Sequence, residues 1–83
     1  MINKENYLLA KANGLAEIFR GDEISRRIGV MYPQNAQTAL LMNTVQSLID
    51  GVPNLTEWNE YQMFRARVKA EVDYEISLIE YGG

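Results

Sequence analysis

The chain has neither cysteine nor histidine among its 83 residues. Without cysteine there is no disulfide framework and no thiolate nucleophile. Without histidine there is no imidazole base and no Ser-His-Asp relay, and with both missing a zinc finger is excluded. The lack of cysteine fits a reducing compartment. No apolar run approaches the length of a membrane span, and the opening "MINKENYLLAKANG" has no stretch suited to a signal peptide. A membrane partner is therefore not expected, and a cytoplasmic location is. Positive charge is scarce: 8 Lys and Arg stand against 11 Asp and Glu, for a net charge of −3. No Lys or Arg occurs from Gly29 to Phe64. That balance favours solubility and disfavours general attraction to phosphate backbones.

What remains is an ordinary folding composition, 47% hydrophobic and 23% charged, so disorder from end to end is not expected. A chain this short forms one domain and buries a modest fraction of its surface, which leaves it marginal alone or helped by a partner. Asn3 can cap a first helix from about Lys4 to Phe19, with Leu8, Ala12, Leu15 and Phe19 on one side and Ile18 beside them. Gly14 is a possible break in it. "RGD" at Arg20 to Asp22 reads as a connection. Asp22 can cap a short helix, "EISRRIG", that Gly29 stops. Tyr32 precedes a proline and is pushed towards extended backbone; Pro33 then opens a second long helix, "PQNAQTALLMNTVQSLID". Leu41, Val45, Leu48 and Ile49 read as its buried stripe, widened by Leu40 and Met42. Gly51 ends it and Pro53 bars continuation.

The stretch "FRARVKAEVDYEI", Phe64 to Ile76, alternates carbon with charge. A period of two suggests a half-buried strand, yet Ala, Arg, Lys and Glu are helix formers. Length decides between them. From Glu57 to Tyr81 there is neither Gly nor Pro, far beyond the usual strand of about 5–6 residues. On a helical wheel Trp58, Tyr61, Phe64, Val68, Val72, Ile76 and Ile79 share an arc of roughly 120°, as a core-facing helix requires. Arg65 and Glu75 sit at its edges, where long side chains can snorkel. Asn54 with Glu57 makes a capping box for this helix, or Thr56 caps it. The expected fold is all-α, a small bundle of three main helices plus one short helix, with a long C-terminal helix. Its far end, around Tyr74, Leu78 and Tyr81, outruns the helices before it.

Catalysis is not indicated. Of the acidic set Glu71, Asp73 and Glu75, only Glu71 and Glu75 share a helix face, and two carboxylates alone hold a metal poorly. Ser25, Ser47 and Ser77 have no base but lysine to activate them, and no glycine-rich loop cradles phosphate. No metal and no cofactor is expected. Lys69 can pair with Asp73 and Arg67 with Glu71 along the helix; Arg65 and Lys69 lie together and can rim a docking face for an acidic protein. Tyr32, Trp58 and Tyr61 gather at a helix corner, where an exposed Trp58 would anchor an interface.

Part of the chain reads as a helix-turn-helix. In "EISRRIGVMYPQNAQTALL", Ile24 and Ile28 would face the core, Gly29 would turn the chain and Pro33 would open a recognition helix. Arg26 and Arg27 could touch phosphates, and Asn35, Gln37 and Thr38 could read adenine edges. The lack of cations from Gly29 to Phe64 removes most of the phosphate contacts that carry affinity.

A second pattern runs from Tyr32 to Val72. Tyr32, Gln37, Ala39, Leu40 and Leu41 are followed by an acidic turn and a second helix carrying Glu57, Glu60, Tyr61, Phe64, Val68, Lys69, Ala70, Glu71 and Val72. This pattern resembles small helical accessory proteins of phage and prophage tail regions. The link "IDGVPNLTEW" is longer here, and the N-terminal helix is additional. The resemblance implies a small helical protein that works by contact, in the host cytoplasm or the virion.

The expected function is a non-enzymatic protein-interaction module, structural or regulatory. Its expected partner is another protein or a second copy of itself, through Trp58, Tyr61, Arg65, Lys69, Tyr74, Leu78 and Tyr81. The alternatives are a small helix-turn-helix DNA-binding regulator and an acidic inhibitor of a host protein.

Overall fold

The structure, a computed structural model, describes residues 1–82 of the chain. These residues form four helices: α1, Lys4–Ala12; α2, Ala16–Met31; α3, Gln34–Ile49; and α4, Thr56–Tyr81. The alternating stretch Phe64–Ile76 lies wholly inside α4. The bundle is all-α with a long last helix, but the short helix is the first one and not the segment after Asp22.

Local chemistry explains most of the ends. The Asn3 side chain accepts the Asn6 amide at 2.9 Å and starts α1. Gly14, at φ +74°, stops it. The Leu15 amide donates to the Ala10 carbonyl and the Gly14 amide to that of Lys11, which is a Schellman closure. The same closure ends α3, where Gly51 at φ +73° and Val52 donate to Leu48 and Ser47. Both sites need the left-handed backbone that only glycine adopts at little cost. Tyr32 and Pro33 form the whole connection between α2 and α3, with Pro33 as N-cap.

Two sequence expectations about α2 fail. "RGD" is helix interior and not a connection, and Gly29 makes no turn, since α2 runs through Gly21 and Gly29 to Met31. Helical glycine costs about 1 kcal/mol against alanine. Ile24 and Ile28, both buried against the core, and the ion pairs described below offset that cost. The start of α4 also differs: the Asn54 side chain accepts the Thr56 amide at 3.3 Å, but Leu55 is the N-cap and no capping box with Glu57 forms.

Helix α4 is the spine, about 39 Å long at 1.5 Å per residue. Helix α1 runs parallel to its C-terminal half, with the Ile2 amide on Glu75 and the Tyr7 hydroxyl on Glu80. Helix α2 returns antiparallel, Arg20 meeting Asp73. Helix α3 continues along the N-terminal half, where Tyr61 meets Gln37 and the Asn54 amide meets Ser47. The C-terminal half is therefore three helices thick, around Ile2, Tyr7, Ile24, Ile28, Val68 and Val72. The N-terminal half is only two. The molecule measures 52 × 20 × 18 Å with a radius of gyration of 16.4 Å, against about 12 Å for a compact chain of this length.

Thus α1 covers the far end of α4, which was expected to be the bare one, although Tyr74 and Tyr81 still face solvent. The bare end is the other. The face expected for a single helix from Lys4 to Phe19 is split between α1 and α2: in α1 Tyr7 is buried and Leu8 exposed, while beyond the break Phe19 packs against the core and Leu15 and Ile18 are exposed.

Candidate interaction surface

The seam between α3 and α4 is set by polar as much as apolar groups. Tyr61 donates its hydroxyl to the Gln37 side-chain oxygen at 2.7 Å, and the Gln37 amide donates to the Tyr32 carbonyl at 2.7 Å. Tyr32 packs edge-on against Tyr61, with ring centroids 4.9 Å apart, and lies 5.4 Å from Phe64. The Trp58 ring lies tilted against that of Tyr61, with centroids 5.7 Å apart. This is the aromatic corner expected from Tyr32, Trp58 and Tyr61. Below it, Leu40 and Thr44 are buried, Thr44 bonding back to the Leu40 carbonyl.

Gln37, Leu40, Thr44 and Ser47 recur at steps of three and four and form the face turned to α4. That rotation corrects the expected core. Leu41, Val45, Leu48 and Ile49 are 48, 45, 52 and 72% exposed, and Met42 is exposed beside them. Only Leu40 of the expected stripe is buried. The physical reason is the Tyr61–Gln37–Tyr32 chain of hydrogen bonds, which locks the rotation of α3 about its own axis. At 100° per residue the exposed set spans about 120° of the helix. It lies on the side where Gln34 and Gln37 meet Tyr61 and Arg65 across a shallow depression. The opposite side of the seam holds an open groove of about 470 Å³, walled by Ala36, Ala39, Asn43, Glu57 and Glu60. From Gln34 to Ile49 there is no charged residue. The combination of an uncharged helix with an apolar set too wide for one seam was the available signal.

The remaining interface candidates divide. Tyr61 is buried and Trp58 half-buried, so both serve the corner. Arg65 is half-buried, with its guanidinium 5.7 Å from the Tyr61 ring centroid. Lys69 is exposed, and Asp73 pairs with Arg20 and not with Lys69. Arg67 sits over the Phe64 ring at 5.4 Å. Tyr74, Leu78 and Tyr81 are exposed at the opposite end of α4 from the α3 face. The structure therefore does not bring the seven candidates into one patch.

The DNA-contact candidates are largely engaged. Arg27 donates to both oxygens of Glu75, at 2.6 and 2.7 Å, and to Glu23 at 2.9 Å. Arg26 reaches the same Glu23. Gln37 belongs to the seam, Thr38 bonds the Gln34 carbonyl, and Asn35 is exposed. The Arg27 hydrogen bonds, aided by the Ile2 amide and the N-terminal ammonium, hold the Glu75 carboxyl down at about 2, against an ordinary 4.5. Burial works to raise Glu23, but Arg26 and Arg27 outweigh it and hold it low. Arg20 does the same to Asp73, and Lys11 with Tyr7 to Glu80. These carboxylates clamp α1, α2 and α4 together. The set Glu71, Asp73, Glu75 does not converge on a shared point: Glu75 faces Arg27, Asp73 faces Arg20 and Glu71 is exposed.

Ser47 donates to the Thr44 carbonyl and Ser77 to that of Tyr74. Among the described residues, every buried side-chain nitrogen and oxygen has a partner, and no helix is long and apolar enough to cross a membrane. Comparison with protein-family models, with curated proteins and with solved structures found no match.

Proposed function

We propose that this chain is a non-catalytic protein-interaction module that works by presenting the outer face of α3, rimmed by Arg65. One observation carries the reading: Leu41, Met42, Val45, Leu48 and Ile49 form a continuous apolar strip on a helix without charge, and the protomer leaves it uncovered. Monomeric proteins rarely expose such strips without using them. The resemblance over Tyr32 to Val72 supports an accessory role of phage or prophage type for this module. That span contains the whole of α3 and the part of α4 against which it packs.

The geometry lends less to DNA binding. Arg27, one of the two cations offered for phosphate, is held by two carboxylates.

The test is the double variant Leu41→Lys with Leu48→Lys. Both side chains are about half exposed, so helical circular dichroism should persist while binding of a hydrophobic fluorescent dye drops. Loss of the fold on substitution would make these core residues and remove the reading.

A further inference from the structure

The α3 face reads as one half of an interface whose other half is itself. We infer that two copies of this chain associate through their α3–α4 arms, two helical hairpins closing into one four-helix bundle. The inference rests on the interaction-module reading above and names its occupant.

Surface area is the first support. The chain exposes 5985 Å². A compact monomer of its 9.5 kDa mass exposes about 5,050 Å². The excess, about 900 Å², is close to the ~800 Å² that each partner contributes to a stable interface of standard size. The elongation responsible arises where α4 has α3 alone for company.

Charge is the second. In a two-fold interface a patch meets its own copy, so any net charge at its centre repels itself. Helix α3 carries none. Across the arms, the ends are complementary. Arg65 stands by the N-terminal end of α3, while Asp50 closes its C-terminal end. An antiparallel pairing of two α3 helices brings the Arg65 of one copy towards the Asp50 of the other.

Spacing is the third. Leu41, Val45 and Leu48 recur at four and three residues, the rhythm with which helices interlock side chains in bundles. Helices α3 and α4 alone make a single layer, and a helix must bury its apolar stripe against another layer to form a core. A second arm supplies it.

The absence of cysteine allows a direct test. Single variants Val45→Cys, on the face, and Ile18→Cys, exposed near the other end of the molecule, are labelled with a thiol reagent from about 1 µM to about 1 mM protein, and sedimentation equilibrium gives the mass, a range that covers weak to firm dimers. The inference expects a dimer whose formation slows labelling at Val45→Cys and leaves Ile18→Cys unchanged. Val45→Lys should weaken that dimer at least ~100-fold, since it buries a charge at the centre. A monomer throughout with fast labelling at Val45→Cys overturns the second-copy inference and leaves the face open to a different partner. A monomer with slow labelling there overturns the interaction reading as well, because the chain then covers its own face. A dimer that protects Ile18→Cys instead places the interface elsewhere and overturns the inference.

Discussion

Glu75→Gln is the sharpest probe of how the three-helix half holds together. Glu75 accepts both Arg27 terminal nitrogens and the Ile2 amide, all within 2.6–2.7 Å, and its side chain is only 14% exposed. It joins α2, the N-terminus and α4 through one carboxylate. A carboxyl held at about 2 when folded, against an ordinary 4.5, is worth about 3 kcal/mol at neutral pH. Water still reaches the edge of the pair, which reduces this to about 2 kcal/mol. The amide keeps the shape, Arg27 keeps Glu23, and the N-terminal ammonium is exposed to water, so no buried cation is stranded. Because the folded value lies below the unfolded one, the unfolded chain takes up the proton first as pH falls. The stabilisation is whole above the unfolded value and drains as pH drops from about 4.5 towards 2. Urea denaturation followed by circular dichroism, at one fixed low protein concentration, should show the variant about 2 kcal/mol less stable at pH 7, with less than half of that gap left at pH 3. A gap of the same size at both pH values, or none at pH 7, would refute the ion-pair account and leave packing as the clamp.

The glycines of the first two helices should answer in opposite directions. Gly21 and Gly29 lie inside α2 with open space where a Cβ would stand, so Gly29→Ala should raise stability by about 0.5–1 kcal/mol. Gly14→Ala, at φ +74°, should lower it by about 1 kcal/mol, and thermal melts would register both. Tyr7 is pushed above its ordinary 10.0 by burial first and then by its bond to Glu80. In an ultraviolet titration of the tyrosines, Tyr7→Phe should remove the last-titrating one, and an unchanged tail would refute its burial.

The helical state of Phe64–Ile76 was legible because length and propensity outvote a local period of two: 25 residues from Glu57 to Tyr81 without glycine or proline leave no place for a turn. The face of α4 was legible too. Tyr61, Val68 and Val72 are buried, and Trp58, Phe64, Ile76 and Ile79 pack against them. Glycine at Gly14 and Gly51 and proline at Pro33 mark real boundaries because they act through their own backbone. Gly21 and Gly29 mislead for the reverse reason. Their effect is a cost of about 1 kcal/mol each, which packing of Ile24 and Ile28 and the long-range pairs of Arg20 and Arg27 can override.

By itself, then, the order of residues determined that this chain is helical, that turns fall at Pro33 and Gly51 with a break available at Gly14, and which side of the last helix is apolar, all properties of neighbours within a few positions. Only the tertiary structure decided which side of α3 meets α4. Leu41 and Leu40 are equally apolar, and a helical wheel cannot choose between them. The hydrogen bond from Tyr61 to Gln37, 24 residues apart in sequence, makes that choice and turns the expected core outward.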